Sequence, residues 1–270
     1  MKYKFEKWHG CQNDFLVILT EKHEDIQPLR EHAENICTKN GTGIGADGIL
    51  AITQLKDKNE LSIINKDGSL AGNCGNGLRC AAGFLLKNEG QQEVKFHVLQ
   101  KEMSAKTTLV HQNKYESSIL MPSFSTMDKN IATEFKDFAN KKFDMKLLDH
   151  QFIMLGNPHL ILEKHSLKNW EFFRFASELQ NIAGGINVHL IQEKPSPKNN
   201  HEVSVLVYER GVGATPACGS GACAVAKFMK TQQGSKIKMP GGLLKINING
   251  ETPTLSGPAE YVYSGEIQLT

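Results

Sequence analysis

The chain has 270 residues, and its 31 lysine and arginine residues nearly balance its 29 aspartate and glutamate residues, leaving a formal charge of +2. This balance excludes the strong positive field that attracts nucleic acid or an anionic membrane surface, and no apolar run approaches the roughly 18 residues that a membrane span requires. The length predicts two domains of about 130 residues each, and the composition predicts a folded cytoplasmic protein that acts on a small molecule.

Strands are predicted along the whole chain, at short segments rich in β-branched or alternating apolar residues. They lie at residues 15–19, 96–100, 107–111, 115–121, 151–155, 188–192, 203–208, 243–248, 261–263 and 266–269. Helices interrupt these strands at irregular intervals. The pattern therefore indicates a mixed α/β fold rather than a doubly wound parallel sheet.

Two amphipathic helices are predicted on the outside of the molecule. Residues 28–39 begin with Pro28, which suits the first turn of a helix, and carry apolar side chains on one face. Residues 167–180 follow Ser166, which is a typical N-cap residue. We expect both segments to be outer helices.

Two further predicted helices consist almost entirely of small and apolar residues. Residues 74–87 read CGNGLRCAAGFLLK, and residues 218–230 read CGSGACAVAKFMK. A helix that is apolar on most faces is buried, so each is expected at the centre of one half of the protein. Both begin with cysteine, glycine, one polar residue and glycine, which makes them an internal repeat on the scale of half the chain.

The six cysteines, at positions 11, 37, 74, 80, 218 and 223, are spread over a long chain. The absence of a Cys-x-x-Cys pair argues against a zinc site, and the sparse distribution argues against a disulfide framework. Cys74 and Cys218 each begin a predicted helix, where free N–H groups and the helix dipole stabilise a thiolate. We therefore expect both to have a lowered pKa, whereas Cys37, Cys80 and Cys223 are interpreted as core residues.

Two activated thiols in matched halves favour a proton transfer. If the halves face each other across a cleft, the sulfur atoms flank one carbon, so that one removes a proton and the other returns one from the opposite side. The helix N-termini would stabilise the enediolate that forms, and the glycines of both motifs would let a carboxylate approach the backbone amides. No cofactor is then needed, and no metal is expected. The alternative interpretation is that both cysteines are core residues.

Eight short motifs follow one another along the chain. They are NDF at 13–15, GIGADG at 43–48, NKDGS at 65–69, CGNGLRC at 74–80, GNPH at 156–159, NV at 187–188, YERG at 208–211 and ACGSG at 217–221. In this order and spacing they resemble the signatures of the diaminopimelate epimerase family, over nearly the whole chain. The glycine-rich GIGADG motif follows a predicted helix end rather than a strand, which argues against a dinucleotide-binding loop.

The resemblance implies two pseudo-symmetric lobes, each a curved mixed sheet wrapped like a barrel around a central helix, with the active site in the cleft between them. Residues 1–118 would form the lobe with Cys74 and residues 119–270 the lobe with Cys218, with the last strand, at 262–270, returning to the first lobe. The implied activity is the interconversion of L,L-2,6-diaminopimelate and its meso isomer in lysine biosynthesis, without a cofactor. A homodimer is compatible with this interpretation.

The resemblance also implies a role for each motif residue. Cys74 and Cys218 would be the acid/base pair, with His159 and Glu209 as the polar partners that set their protonation. Arg210 would bind the distal carboxylate through two parallel hydrogen bonds, so its loss should harm substrate binding most. The other implied substrate-binding residues are Asn13, Asn65, Gly75, Asn76, Asn157, Asn187, Gly219 and Ser220.

The chain departs from the family pattern at Gln12, Asn73, Ala214, Pro216 and Ser220, and the departures at 214 and 216 leave the exact substrate open. A cofactor-independent racemase of another amino acid on the same fold is therefore an alternative. A thiol redox or metal-binding protein is a further alternative, and it predicts that the cysteines cycle between thiol and disulfide. Without the family, the asparagines at 65 and 157 are interpreted as turn residues and the arginine at 210 as a surface charge.

Overall fold

The structure, a computed structural model, describes residues 1–56, 58–72, 74–99, 101–143, 150–163, 168–231 and 233–269. Its strands, numbered β1 to β16 in chain order, are Lys2–Gly10, Asn13–Thr20, Gly48–Leu55, Lys58–Asn65, Leu70–Ala71, Glu93–Val98, Lys101–His111, Lys114–Leu120, His150–Leu155, Asn157–Glu163, Asn187–Glu193, Glu202–Glu209, Gly213–Ala214, Ser235–Met239, Gly242–Asn249 and Thr252–Gln268. Its helices, α1 to α6, are Ile26–Glu31, Ala33–Cys37, Gly75–Glu89, Lys129–Phe143, Asn169–Leu179 and Gly219–Phe228. None of these described helices is long and apolar enough to cross a membrane.

The chain divides into two compact units. Unit 1 comprises Met1–Leu120 and Ser256–Thr270, and unit 2 comprises Met121–Leu255. Strand β16 therefore begins in unit 2 and continues into unit 1. Each unit contains one of the two cysteine-led helices, α3 in unit 1 and α6 in unit 2.

In unit 1 the strands form a ring around helix α3. Their order is β1-β2-β3-β4-β6-β7-β8-β16, and β16 also pairs with β1, which closes the sheet. The pairs β2–β3 and β4–β6 are parallel whereas β1–β2 and β3–β4 are antiparallel, so the sheet is mixed. Helix α3 packs against β1, β2, β7 and β8. At Gly83 a Cβ would lie 2.7 Å from the Trp8 ring, so only glycine allows the helix to pack this closely.

Helices α1 and α2 cover the outer face of this sheet. Leu29 of α1 and Ile36 of α2 pack in one buried cluster with Leu16 of β2. The prediction of one helix over residues 28–39 is wrong, because the chain leaves the helical conformation at His32 (φ −102°, ψ 5°). The Pro28 carbonyl accepts both the backbone N–H and the imidazole of His32, so the side chain competes with the backbone for this carbonyl.

In unit 2 the strands are ordered β16-β15-β14-β12-β11-β10-β9. The pairs β10–β11 and β12–β14 are parallel. Ser125 forms a bridge with Met154 of β9, and the Phe124 N–H donates to the Glu251 carbonyl at 2.8 Å, just before β16. This segment therefore connects the two ends of the sheet. Helix α6 packs against β9, β10, β11, β14 and β15, so it has the central position that α3 has in unit 1.

Helices α4 and α5 cover the outer face of unit 2. Phe135 of α4 and Phe172 of α5 pack with Leu160 of β10 and Val188 of β11 in one buried cluster. The residues next to Leu160 and Val188 along each strand face the opposite side of the sheet, where α6 lies. The two faces of β10 and β11 are therefore both covered by helices.

The two outer helices of unit 2 differ from the sequence predictions. Helix α4 was not predicted, although Asp128 marks its start by accepting the Asn130 N–H at 2.8 Å. Helix α5 begins at Asn169, after the N-cap residue Lys168, instead of at residue 167. The predicted N-cap residue, Ser166, lies outside the described residues.

The predicted fold class, a mixed α/β fold with a curved mixed sheet, is confirmed. Each predicted strand overlaps a strand of the structure, but the segments 261–263 and 266–269 belong to the single strand β16, and residue 100 lies outside the described residues. The longer strands β1, β3, β4, β10 and β14 were not predicted. In β1, exposed Lys2 and Lys4 alternate with buried Tyr3 and Phe5, so the charges obscure the apolar side of the strand.

Candidate active site

Both cysteines stand at the start of a helix, as predicted. Cys74 is the N-cap of α3, with an extended backbone (φ −149°, ψ 99°), and its Sγ accepts the Gly77 N–H at 3.3 Å. Cys218 is the N-cap of α6 (φ −126°, ψ 112°), and its Sγ accepts the Gly221 N–H at 3.4 Å. Each sulfur therefore takes the place of a capping oxygen and binds one of the free N–H groups of the first turn.

Beside Cys74, a chain of hydrogen bonds fixes the side-chain amides of Asn76 and Asn13. Arg79 Nη2 donates to Asn76 Oδ1 at 2.9 Å, and Asn76 Nδ2 donates to Asn13 Oδ1 at 3.4 Å. Asn13 Nδ2 in turn donates to Asp47 Oδ2 at 2.9 Å. Because a guanidinium only donates and a carboxylate only accepts, the two ends of the chain determine which way both amides point.

Arg79 and Asp47 were not predicted as site residues. Arg79 is fully buried, and carbonyl groups bind its guanidinium, with Nε donating to Pro258 at 3.1 Å and Nη1 donating to Gly75 at 3.3 Å. An arginine within a helix as apolar as α3 is the sequence signal that indicates a special position for this residue. Asp47 belongs to the GIGADG motif at 43–48, but the motif was not assigned a role in the site.

Asp14 connects the same network to two lysines. Its carboxylate lies 2.8 Å from Lys39 Nζ and 2.6 Å from Lys7 Nζ. Burial raises the pKa of Asp14, but the hydrogen bonds from Lys39 and Lys7 outweigh burial and lower the pKa to about 2. The carboxylate is therefore ionised at neutral pH.

Asn65 lies at the exposed end of β4. Its Nδ2 donates to Ser69 Oγ at 2.9 Å, and its carbonyl accepts the Gly68 N–H at 2.9 Å. Gly68 has a positive φ of 80°, which closes the turn after the strand. The structure thus shows Asn65 in a turn, and its role in substrate binding stays a prediction.

Cys218 is buried in unit 2, and the prediction of a lowered pKa is wrong for this thiol. Burial raises the pKa of Cys218 well above its ordinary value, because the thiolate would lose its hydration. The Glu209 carboxylate raises the pKa further, through its charge and by accepting a hydrogen bond from the thiol, whereas Ser220 and the Gly221 N–H lower it. Cys218 is therefore a neutral thiol in this structure.

The Glu209 carboxylate is held by the loop that precedes α6. Thr215 Oγ1 donates to Glu209 Oε1 at 2.6 Å. Gly219 and Ser220, the predicted carboxylate ligands, form the first turn of α6, and Ser220 Oγ lies 3.5 Å from Cys218 Sγ. Thr215 was not predicted as a site residue, because only the fold brings its hydroxyl to the carboxylate at the end of β12.

His159 is fully buried on β10 and contacts a second buried histidine. Its Nδ1 lies 2.9 Å from His189 Nε2, and its Nε2 lies 2.9 Å from Asn157 Oδ1. Burial lowers the pKa of both imidazoles, that of His189 to about 3, and the charges of His189 and Arg210 lower the pKa of His159 further. Both rings are therefore neutral. The predicted role of His159 as a partner of the cysteines stays a prediction.

Asn187 connects two segments of unit 2 through its side-chain amide. Its Oδ1 accepts the Arg210 N–H at 3.0 Å, and its Nδ2 donates to the Pro158 carbonyl at 2.9 Å. Arg210 is exposed in the turn after β12, and a Cβ at Gly185 would lie 3.0 Å from its Cγ. The absence of a side chain at Gly185 therefore gives room for the stem of Arg210.

The positions that depart from the family pattern have clear local conformations, apart from residue 73, which lies outside the described residues. Cys11 and Gln12 have positive φ angles of 53° and 64° in the turn between β1 and β2, a conformation that glycine adopts without strain. Ala214 pairs with Tyr208, and the Pro216 carbonyl accepts the Gly241 N–H at 2.7 Å. The loop before Cys218 is thus tied to two neighbouring segments.

Cys37, Cys80 and Cys223 are fully buried core residues, as predicted. Burial raises the pKa of Cys37 to about 11 and raises the pKa of Cys80 as well, so both are neutral thiols. The structure describes all six cysteines, and no disulfide joins any two of them. Within the described ranges, no three histidine, cysteine, aspartate or glutamate side chains are gathered closely enough to hold a metal ion.

Comparison with known proteins identifies a family to which the chain is similar and solved structures with a similar fold. The family model described as diaminopimelate epimerase matches residues 5–121 and 151–269. A diaminopimelate epimerase from Buchnera aphidicola is 30% identical over 285 residues, which cover 100% of this chain and 97% of the relative. Of the solved structures, a phenazine biosynthesis protein from Bacillus anthracis has a TM-score of 0.73 at 11% identity and 99% coverage of both chains. A hydroxyproline epimerase from Agrobacterium vitis has a TM-score of 0.63 at 10% identity, covering 98% of this chain and 91% of the other.

Proposed function

The chain belongs to the diaminopimelate epimerase family, and on that basis we propose that it interconverts L,L-2,6-diaminopimelate and meso-diaminopimelate by proton transfer to and from Cys74 and Cys218. One observation supports this mechanism above all others. Each cysteine is the N-cap of a buried, glycine-rich helix, and each sulfur accepts an N–H of the first turn. The lysine-biosynthetic role follows from the family, whereas the cytoplasmic location and the homodimer stay predictions.

The proposed reaction uses one thiolate and one thiol. In the direction that starts at Cys74, its thiolate removes the α-proton and becomes a thiol, and the substrate becomes an enediolate. Cys218 then donates its proton to the opposite face of the carbon and becomes the thiolate. In the reverse direction the roles are exchanged, so no proton is gained or lost overall. The neutral state of Cys218 matches the acid of the first direction.

Helix N-termini supply the stabilisation of the enediolate in this proposal. Negative charge moves onto the reacting carboxylate as the α-proton leaves. The N–H groups of Gly75, Asn76, Gly219 and Ser220 belong to the first turns of α3 and α6, where the positive end of the helix dipole lies. Donors of this kind stabilise a growing oxyanion more strongly than the initial carboxylate, which lowers the barrier.

Arg210 and Asn187 are proposed to recognise the distal end of the substrate. Diaminopimelate has a second amino-carboxylate, and an arginine binds a carboxylate through two parallel hydrogen bonds. Asn187 holds the Arg210 backbone, and Gly185 gives its stem room, so the exposed guanidinium extends from a fixed base. A racemase of a monoamino acid would have no use for this arrangement.

Proton exchange in deuterium oxide tests the proposed function. The native protein is expected to convert L,L-diaminopimelate into the meso isomer with deuterium at the α-carbon. Cys74→Ala and Cys218→Ala should each lower the rate of epimerisation by about a thousandfold or more, since each removes one of two essential proton carriers. Cys223→Ala is the matched control, because Cys223 is a buried thiol of the same helix α6 and should leave most of the activity.

Two outcomes would contradict the proposal. Full activity of the Cys218→Ala protein would exclude the two-thiol mechanism. Faster exchange of a monoamino acid than of diaminopimelate, measured with a panel of amino acids, would favour the racemase alternative. In that case Arg210→Gln would leave the Michaelis constant for the monoamino acid unchanged. Under our proposal the same substitution raises the Michaelis constant for diaminopimelate.

A further inference from the structure

His189 is a buried histidine to which the sequence motifs assign no role. It lies on β11, beside Ile161 in the parallel register with β10, and its ring is fully buried. Val188 and Leu190, on either side of it, belong to the outer cluster under α4 and α5. Because strand side chains alternate between faces, His189 projects to the α6 side of the sheet, as His159 does on β10.

The hydrogen bonds around His159 fix the direction of donation. The Asn157 Oδ1 can only accept, so His159 Nε2 carries the proton that it donates at 2.9 Å. The buried His159 ring is neutral, so its Nδ1 has no proton and accepts a hydrogen bond. The group opposite this nitrogen is His189 Nε2, at 2.9 Å, which must therefore be the donor.

The remaining nitrogen of His189 agrees with this direction. If Nε2 of a neutral ring carries the proton, Nδ1 is bare. Among the described residues, no partner is found for the buried His189 Nδ1. In the described part of the chain, His159 is therefore the hydrogen-bond partner of the His189 ring.

His189 also packs against the turn that presents Cys218. A Cβ at Gly221 would lie 2.0 Å from His189 Cε1 and 2.6 Å from His189 Nε2. The Gly221 N–H is the group that Cys218 Sγ accepts. The imidazole thus occupies the space that a side chain at Gly221 would need, directly below the first turn of α6.

We propose that His189 is a positioning residue of the active site. It donates Nε2–H to His159, which fixes the His159 tautomer, and His159 in turn donates to the Asn157 Oδ1. Because Asn157 Oδ1 accepts this hydrogen bond, the NH₂ group is the part of the amide that Asn157 presents to a substrate. An NH₂ group is a donor and suits a carboxylate. The role of Asn157 as a substrate ligand rests on the proposed function, whereas the tautomers do not.

The tautomers can be read directly in the purified protein. With ¹⁵N-labelled histidine, long-range ¹H–¹⁵N spectra distinguish a protonated ring nitrogen from a bare one. We expect His159 to be protonated at Nε2 and bare at Nδ1, and His189 to be protonated at Nε2. A wild-type spectrum with His159 protonated at Nδ1 would overturn the proposal, because His189 would then be the acceptor.

Two substitutions separate the hydrogen bond from the packing. His189→Leu fills similar space without a donor, whereas His189→Gln keeps an N–H near the position of Nε2. The leucine variant should lose the single His159 tautomer and raise the Michaelis constant for diaminopimelate about tenfold, the effect of one lost hydrogen bond. The glutamine variant should restore the tautomer and most of the affinity.

The outcomes also separate this inference from the proposed function. An unchanged His159 tautomer in the leucine variant overturns the inference even if the epimerase is fully active. A protein that does not epimerise diaminopimelate contradicts the proposed function, and the spectra then decide the role of His189 alone. If the leucine variant does not fold, the wild-type spectrum and the glutamine variant give the decision.

Discussion

Helices α3 and α6 begin in the same way, and their surroundings differ. Each has a cysteine N-cap whose sulfur accepts an N–H three residues later. Cys74 is partly exposed, beside a chain of amides that ends at a buried arginine, whereas Cys218 is buried beside a carboxylate. The helix N-terminus is present in both cases, yet the pKa of Cys218 is raised. Burial and the Glu209 charge therefore outweigh the local effect of the helix start.

After the cysteine variants, the largest effect is expected from Glu209, whose carboxylate raises the pKa of Cys218. Glu209→Gln removes the negative charge, so the pKa of Cys218 should fall and its alkylation should begin at lower pH. Epimerisation should fall about a hundredfold, within the range usual for a lost acid/base contribution. Mass spectrometry that resolves each cysteine measures the alkylation, and activity assays measure the rate.

A control for this substitution lies on the same strand. Glu202 stands at the other end of β12 from Glu209, so Glu202→Gln changes the net charge equally without touching the thiol. It should leave the alkylation of Cys218 unchanged. If Glu209→Gln moves the alkylation of Cys218 to higher pH, or has no effect, the assignment of the raised pKa to this carboxylate is wrong.

The glycine three residues after each cysteine tests the packing below the two cysteines. A Cβ at Gly77 would lie 3.0 Å from the flexible end of Leu50, whereas a Cβ at Gly221 would lie 2.0 Å from the His189 ring. Gly221→Ala should therefore lower the free energy of unfolding by about 2–3 kcal/mol, as overpacked cores do. Gly77→Ala should stay within about 1 kcal/mol of the native protein, because alanine also favours the helix.

Urea unfolding of both glycine variants gives the comparison. The two substitutions add the same methyl group at the same helical position, so each is the control for the other. Equal destabilisation of the two proteins would show that the His189 ring does not restrict the first turn of α6. A larger loss for Gly77→Ala would reverse the comparison.

The smallest expected effect concerns acid. Because the pKa of His189 is lowered to about 3 in the folded protein, the unfolded chain binds more protons below pH 6.5, so stability present above that pH is lost as the pH falls. Between pH 7 and pH 5, this histidine alone should lower the free energy of unfolding by about 2 kcal/mol. Asp14 in unit 1 has a pKa of about 2, so the stability that its ionised carboxylate contributes remains until the pH falls below 3.8.

Hydrogen exchange measured at several pH values tests this order. Between pH 7 and pH 5, protection should fall first in β10, β11 and α6 of unit 2, while β1 and β2 of unit 1 keep theirs. His189→Gln should reduce the loss in unit 2, since a buried amide does not bind a proton. Earlier loss of protection in unit 1 would contradict the assignment.

Much of the fold could be predicted where the signal is local. The cysteine-led helices were found because glycine, alanine and other small residues follow a capping residue directly. Strands β2, β11 and β12 were predicted from their β-branched and apolar residues, whereas β3 and β4 were missed despite their isoleucines. The break at His32 and the start of α4 at Asp128 were missed, although the capping contact of Asp128 is itself local.

The candidate site could be predicted only in part. Cys74 and Cys218 were recognised at the starts of their helices, and the family motifs indicated the other predicted site residues. Arg79, Thr215 and His189 were missed, because their roles depend on partners that the fold supplies. His189 reads as an ordinary strand position until β10 and β11 pair, since 30 residues separate it from His159.

By itself the sequence determined which residues begin the two central helices, because capping and helix formation depend on neighbours within one turn. It also determined the family, through motifs read in order. Only the tertiary structure decided the protonation of Cys218, the pairing of His189 with His159 and the orientation of the Asn76 amide. These depend on burial and on contacts between distant parts of the chain, since the free energy of a charge or a hydrogen bond is set by what surrounds it in space.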